Sequence, residues 1–249
     1  MAFPFVFSDG FENGSTVATA TSGTLIDFPH YSELSRQSMA PYRGAYSARI
    51  RLAGGTTAQF IREDTAFDDL TASTTRFLRF YFYLGKDLTM ADGDKFSLFE
   101  AESTLNSVTE VACGIDRSGA NLRFWVNETQ AAASASTFTL GTTTSALGRW
   151  TCAELKIVLD SGAGNDGTIT GFIDDAAMTA VSTLDQAAIV DGKIGVIGPD
   201  AGTSGTILID DIIYDDTQVY ADRTQYREIN ARQTFATDHP MIGRGRFSV

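Results

Sequence analysis

Glu100 and Glu102 are two carboxylates one residue apart, in the stretch Glu100-Ala101-Glu102, which reads as a strand. Residues i and i+2 of a strand point to the same face, so the pair would stand together on a sheet. Cleavage of a glycosidic bond needs two carboxyl groups roughly 5–10 Å apart across the scissile bond. The pair lies amid Ser and Asn, and its simpler reading is a solvated strand end. Other reacting sets are weaker. His30 falls in an early loop beside Pro29, and His239 lies beside Pro240 near the C-terminus. No serine sits in a G-x-S-x-G elbow, no Cys/His spacing suits zinc, and no G-x-x-x-x-G-K-[ST] phosphate loop occurs. Cys113 and Cys152 both fall in strand candidates and read as buried thiols acting as small hydrophobes rather than as a disulfide. On these residues the chain is expected not to be an enzyme.

Whatever chemistry the chain performs must be positioned by strands. Leu78, Phe80, Phe82 and Leu84 alternate with Arg79, Tyr81 and Tyr83, and Leu122, Phe124 and Val126 oppose Arg123 and Asn127. A period of two marks half-buried antiparallel strands. Further candidates are 47–52, 57–62, 95–101, 108–115, 137–140, 150–159, 168–174, 192–197 and 205–214, separated by Gly, Asp, Asn and Ser clusters. The stretch from Thr129 to Ser145 reads as a loop and an edge strand. The 17 Phe and 8 Tyr, against 5 Pro and 5 Met, favour pleated, half-buried surfaces over helices. Many short strands without alternating helices predict an all-β, two-sheet antiparallel sandwich. A chain of 249 residues, 43% hydrophobic, suffices for one such domain, here 1–221.

The net charge is −12. Residues 222–249 hold five Arg against three acids, +2, which leaves −14 for the body. Such a body repels nucleic acid and anionic membranes, and neither is expected as a partner. The apolar runs are strand-sized, too short for a transmembrane helix. The segment beginning Met1-Ala2-Phe3-Pro4 has no basic region and no long apolar stretch, so synthesis without export is expected. After Tyr214 the apolar period is lost, and 222–249 reads as an extended C-terminal arm. Arg223, Arg227, Arg232, Arg244 and Arg246, with Met241, Ile242 and Phe247, suit docking against another chain or back against the acidic body.

Four segments carry a resemblance. They are the turn Asp9-Gly10-Phe11-Glu12-Asn13-Gly14, the strand opening Gly148-Arg149-Trp150, the hairpin-like Gly167 to Asp175, and the closing strand from Gly205 through Asp210-Asp211 to Asp216. In that order they resemble the concanavalin A-like lectin/glucanase and laminin G-like jelly rolls over roughly residues 5 to 220. The resemblance implies a jelly roll whose first and last strands lie side by side. It also implies one cofactor, a structural Ca²⁺ that staples the ends, with Asp9, Glu12 and Asp211 at the matching positions. Strict alternation would send Asp210 and Asp211 to opposite faces, so only one of them would join Glu12. The glucanases' E-x-D-x-x-E strand is absent, the lyases' His, Tyr and Arg set is not matched, and no cluster fits the lectins' paired metals. For sugar binding the resemblance asks for exposed aromatic platforms, and Tyr81, Tyr83 and Trp125 fall on the less apolar faces of their strands. Trp150 reads as packing.

These readings lead to an expectation of a non-enzymatic bacteriophage virion protein, a capsid decoration or tail-associated jelly roll. It would be made in the host cytoplasm and held in the virion through contacts with other virion proteins, such as a capsid protein, and with copies of itself as a homo-oligomer. The alternative is a carbohydrate-binding module that recognises a surface glycan. A lyase or glycosidase stands third.

Overall fold

A computed structural model describes residues 7–9, 20–22, 42, 47–63, 73–103, 109–128, 136–162, 164–186 and 188–218, with only the backbone path for 7–9, 20–22 and 61–63. The strands are β1 (Phe7–Asp9), β2 (Ala20–Ser22), β3 (Ala48–Ala53), β4 (Gln59–Glu63), β5 (Thr75–Leu84), β6 (Lys95–Glu102), β7 (Thr109–Ser118) and β8 (Asn121–Asn127). They continue as β9 (Ser136–Thr142), β10 (Trp150–Val158), β11 (Gly167–Ile173), β12 (Ala176–Ala177), β13 (Val181–Leu184), β14 (Asp191–Ile197) and β15 (Ser204–Asp215). No helix occurs among the described residues.

The strands form two antiparallel sheets. One has eight strands in the order β1-β15-β5-β10-β11-β12, with β13 also paired to β11 and β3 to β15. The other has seven, in the order β2-β4-β14-β6-β7-β8-β9. The expected edge strand is β9, which ends that sheet. The expected meeting of the termini is present too: β1 pairs antiparallel with β15, Phe7 opposite Tyr214 and Asp9 opposite Ile212. Sequence periodicity passed over β2, β12 and β13, which at two to four residues are too short to display a period.

The inner faces interdigitate in one core. Leu78, Phe80, Phe82 and Leu84 of β5 meet Phe96, Val111, Ile115, Phe124 and Val126 of the opposing sheet, all buried. Phe82 stacks on Phe124 with ring centroids 6.1 Å apart and planes 13° apart. Each fully buried side chain of this size contributes about 1.5–3 kcal/mol through its removal from water, so the alternation that predicted the strands also drives the two sheets together.

Cys113 belongs to this core, whereas Cys152 lies on the outer face of the other sheet, and both thiols are free. The arm residues Arg223, Arg227, Arg232, Met241, Ile242, Arg244, Arg246 and Phe247 lie outside the described residues, as does Glu12.

Candidate functional site

A strand whose even residues fill the core sends its odd residues outward, so register decides what gathers on each outer face. On the seven-stranded sheet, Lys193 of β14 stands opposite Glu100 of β6, Glu100 opposite Ala112 of β7, and Ala112 opposite Asn127 of β8. The next outward row runs from Ile197 through Ser97 and Gly114 to Trp125. A third brings Lys95, Asp116 and Arg123 together. Residues scattered over a hundred positions of sequence thereby form one charged surface.

Its centre is a carboxyl group between an ion pair and a hydroxyl. Lys193 Nζ lies 2.5 Å from Glu102 Oε1 and 5.4 Å from the centre of the Phe60 ring. Ser97 Oγ donates to Glu100 Oε1 at 2.7 Å. Burial pushes the Glu100 carboxyl above the ordinary glutamate range, and Glu102 pushes the same way; the Ser97 hydrogen bond and Lys193 act against them. Glu100 and Glu102 are each 6% exposed, so neither is the solvated strand end that the composition suggested. Bulges between Ser97 and Phe99 and between Ala101 and Glu102 aim this stretch of β6. Beside it, Arg123 grips Asp116 with two hydrogen bonds, 2.9 Å from Nε and 2.5 Å from Nη2.

Trp125 occupies the same face and is only 1% exposed. Its ring lies over Gly114, where a Cβ would come within 2.8 Å of Trp125 Cζ2 and 2.0 Å of the Phe96 carbonyl. The glycine thus lets a large aromatic ring lie down on the sheet. Trp125 Nε1 is buried and donates to no acceptor among the described residues, an arrangement that costs about 1–3 kcal/mol.

The outer face of the eight-stranded sheet is built differently. Tyr81 and Tyr83 of β5 stand opposite Cys152 and Trp150 of β10 and opposite Asp210 and Leu208 of β15. Tyr42 stacks on Tyr81 at 3.5 Å and meets Trp150 edge-on at 6.0 Å. Together with Leu208 these residues form a second, smaller apolar cluster. Arg79 lies 5.3 Å from the centre of the Tyr81 ring and donates to Asp211 Oδ2 at 2.8 Å. Burial drives the Tyr81 phenol far above its ordinary range and the Cys152 thiol up to about 12.

The sugar platforms expected at Tyr81, Tyr83 and Trp125 are therefore not gathered. Two lie on one outer face and the third on the other, and all three are buried. Alternation separated them correctly from the core, but it does not reveal that an outer face is itself covered.

The expected cation ligands fare differently. Asp9 neighbours the closing strand, yet its side chain and Glu12 lie outside what the structure describes. Asp211 and Asp210 share the outer face instead of dividing between faces, because β15 bulges between Asp210 and Ile213 and Asp211 takes a left-handed φ of 48°. The bulge delivers the Asp211 carboxylate to Arg79. No group of three or more His, Cys, Asp or Glu that could hold a metal forms among the described residues.

No family model matches the sequence, and no curated protein matches it. Solved structures do match its shape. An endo-β-1,4-glucuronan lyase from the fungus Trichoderma reesei superposes with a TM-score of 0.55 at 16% identity, over 86% of this chain and 96% of that one. An alginate lyase in complex with alginate trisaccharide gives 0.51 at 12% identity, over 87% and 100%. A carbohydrate esterase of the Shiga toxin-encoding bacteriophage phi24B gives 0.55 at 14% identity, over 84% and 97%. The fold is a concanavalin A-like jelly roll.

These neighbours correct two expectations. A non-enzymatic structural role in a virion does not accord with a chain whose structural neighbours include polysaccharide lyases and a carbohydrate esterase. The phage-encoded structure among them is an esterase. The expectation of no enzyme falls with it. That expectation rested on the absence of a linear motif, but a sheet gathers side chains across strands by register, as Lys193, Glu100 and Asn127 illustrate.

Proposed function

We propose that this protein binds and cleaves a polysaccharide on the outer face of the seven-stranded sheet, with an acidic, uronate-containing chain as the preferred class. The observation that carries the reading is Glu100, a buried carboxyl with a raised pKa, hydrogen-bonded to Ser97 and set beside the Lys193–Glu102 pair. Titratable groups perturbed by burial and by specific charged neighbours concentrate at functional sites. A carboxyl whose pKa is raised by burial is better suited than an ordinary glutamate to act as general acid for the oxygen of a departing sugar, a step common to eliminative and hydrolytic cleavage. A glycan is further favoured by the fold, which is shared across its length with lyases named for glucuronan and alginate.

The roles divide as follows. Glu100 donates its proton to the leaving oxygen as the C4–O bond breaks, the C5 proton passes to water as the C4–C5 double bond forms, Ser97 fixes the carboxyl's orientation, and Lys193 supplies positive charge where a substrate carboxylate would lie. The test is to incubate the protein with glucuronan, alginate and a neutral glucan, following new reducing ends and the ultraviolet absorbance of an unsaturated uronate product. Turnover of an acidic polymer is expected, with Glu100→Gln about 100-fold slower or worse, the usual loss on removing a general acid. No turnover of any polymer, or equal turnover by Glu100→Gln, would overturn the reading.

A further inference from the structure

A cleft of about 440 Å³ opens at one end of the sandwich, away from Glu100. It lies where the β5–β6 connection, the β7–β8 hairpin and the β9–β10 connection meet. Ligand pockets in proteins typically hold roughly 300–1,000 Å³, so a sugar unit fits. The charged groups on its described lining are Lys86 and Arg117, with no acid among them. In a chain with 31 acids and 19 bases, that local excess of positive charge runs against the composition.

Among the described residues, neither cation is paired with an acid. The Lys86 stem lies against Gly148, where a Cβ would come within 2.6 Å of Lys86 Cε; the glycine's φ of 80° suits the turn and its bareness makes room. No acid pairs with Lys86 among the described residues. Arg117 donates from Nε to the Gly119 carbonyl at 2.9 Å and from Nη1 to the Met90 carbonyl. Those bonds fix the guanidinium but leave its charge unpaired and donors to spare. The acids nearest in sequence have other partners: Asp87 accepts from Thr206, Asp92 from the Gly119 amide, Asp94 from the Ala91 amide, and Asp116 pairs with Arg123.

The rest of the lining suits a pyranose. Thr89 and Thr143 contribute hydroxyls that engage no partner among the described residues, while Leu88 and Leu122 give an apolar floor. The walls are pinned by backbone hydrogen bonds, Thr89 to Ser204 at 2.7 Å, Thr143 to Ala120 at 2.9 Å and Gly148 to Leu84 at 2.8 Å. A preformed site spends little of its binding energy on ordering itself.

We infer that this end cleft is a second binding site, for a single carboxylate-bearing sugar unit. Lys86 and Arg117 hold the carboxylate, and the threonines and leucines hold the ring. The site takes no part in bond cleavage and does not depend on Glu100. It is tested on the full chain by ligand-observed NMR and calorimetry with glucuronate, methyl glucoside and inorganic phosphate. Glucuronate is expected to bind with a dissociation constant on the order of 1 mM. Methyl glucoside and phosphate should each bind at least tenfold more weakly. Lys86→Met, an exposed change, should weaken glucuronate about tenfold, and Arg117→Lys should weaken it while retaining charge, because the two-point geometry is lost. Glu100→Gln should leave glucuronate binding intact whatever it does to turnover, which separates this site from the proposed cleavage site. Glucuronate binding that survives Lys86→Met, or phosphate binding as tight as glucuronate, would overturn the assignment.

Discussion

The two outer faces of this sandwich occupy equivalent positions and are put to different uses. On the eight-stranded sheet, the outward positions of β5 and β10 include Tyr81, Tyr83 and Trp150 beside Arg79, Cys152 and Glu154, and Tyr42 comes down on the rings to make a second small core. The ion pair of Arg79 with Asp211 there is tight and joined to an aromatic ring. On the seven-stranded sheet the same kind of positions carry Glu100, Glu102, Lys193, Asp116 and Arg123, which are mostly buried and ionisable. Burying charge costs far more than burying phenol and indole rings. Both faces carry some of that cost, since Arg79, Glu154, Asp210 and Asp211 are buried on the eight-stranded one; the raised Glu100 carboxyl makes the seven-stranded face the better candidate for chemistry, and the aromatic cluster makes the other the better candidate for stability.

The largest test of this contrast falls on the aromatic face. Tyr81→Ala removes a ring that is 1% exposed and stacked at 3.5 Å on Tyr42. It leaves a cavity beside Trp150 and Cys152, and should cost about 4 kcal/mol, within the range for deleting a buried aromatic ring. Denaturant unfolding measures this directly. Polysaccharide turnover at a temperature where the variant is still folded should remain near wild type. A loss below about 1 kcal/mol, or a loss of turnover without loss of stability, would reverse the roles assigned to the two faces.

A smaller effect is expected from Gly114→Ala on the charged face. The new methyl meets the Phe96 carbonyl at 2.0 Å and the Trp125 ring at 2.8 Å, and the carbonyl belongs to a strand that cannot yield cheaply. Overpacking of this kind costs about 1–3 kcal/mol. Because the displaced groups are Trp125 and the β6 backbone that carries Ser97 and Glu100, turnover should fall more than thermal stability does. Equal wild-type turnover in a variant with a lowered melting temperature would place the reacting groups elsewhere.

The sequence made some of this arrangement legible. The alternation in β5 and β8 identified the inner residues, and the turn at Asp9 with the Asp210-Asp211 strand identified which ends meet. What stayed hidden has a common physical cause. Period two says which residues share a face of one strand, but register says which strands share that face, and register here is altered by bulges at Ala101, Ile194 and Asp210. Hence Asp210 and Asp211, read as opposed, lie on one face. Hence too Lys193, more than ninety positions from Glu100, was not connected with it. The contact between Tyr42 and Tyr81 was invisible for another reason, since a residue outside any strand carries no period at all.

The smallest expected effect is the most discriminating, because its sign depends on pH. Glu100 has a folded-state pKa raised above its unfolded value, mainly by burial. The folded state therefore holds its proton more tightly, so the wild-type chain loses stability as pH rises from the ordinary glutamate value of about 4.3 toward the raised one. Glu100→Gln keeps the shape and removes the titration, and Lys193 retains Glu102 as its partner. At neutral pH the variant should be more stable than wild type by something of the order of 1 kcal/mol. The advantage should shrink as pH falls below about 4, where both side chains are neutral. Melting temperatures of the two proteins across that range measure the difference, and turnover measured in parallel should move the other way, falling in the more stable variant. A group kept for function at a cost to the fold behaves in this manner. A Glu100→Gln variant less stable than wild type at neutral pH would show that the carboxylate is a structural member of the Lys193 cluster, and the charged face would then differ from the aromatic one only in the means by which it stabilises the sheet.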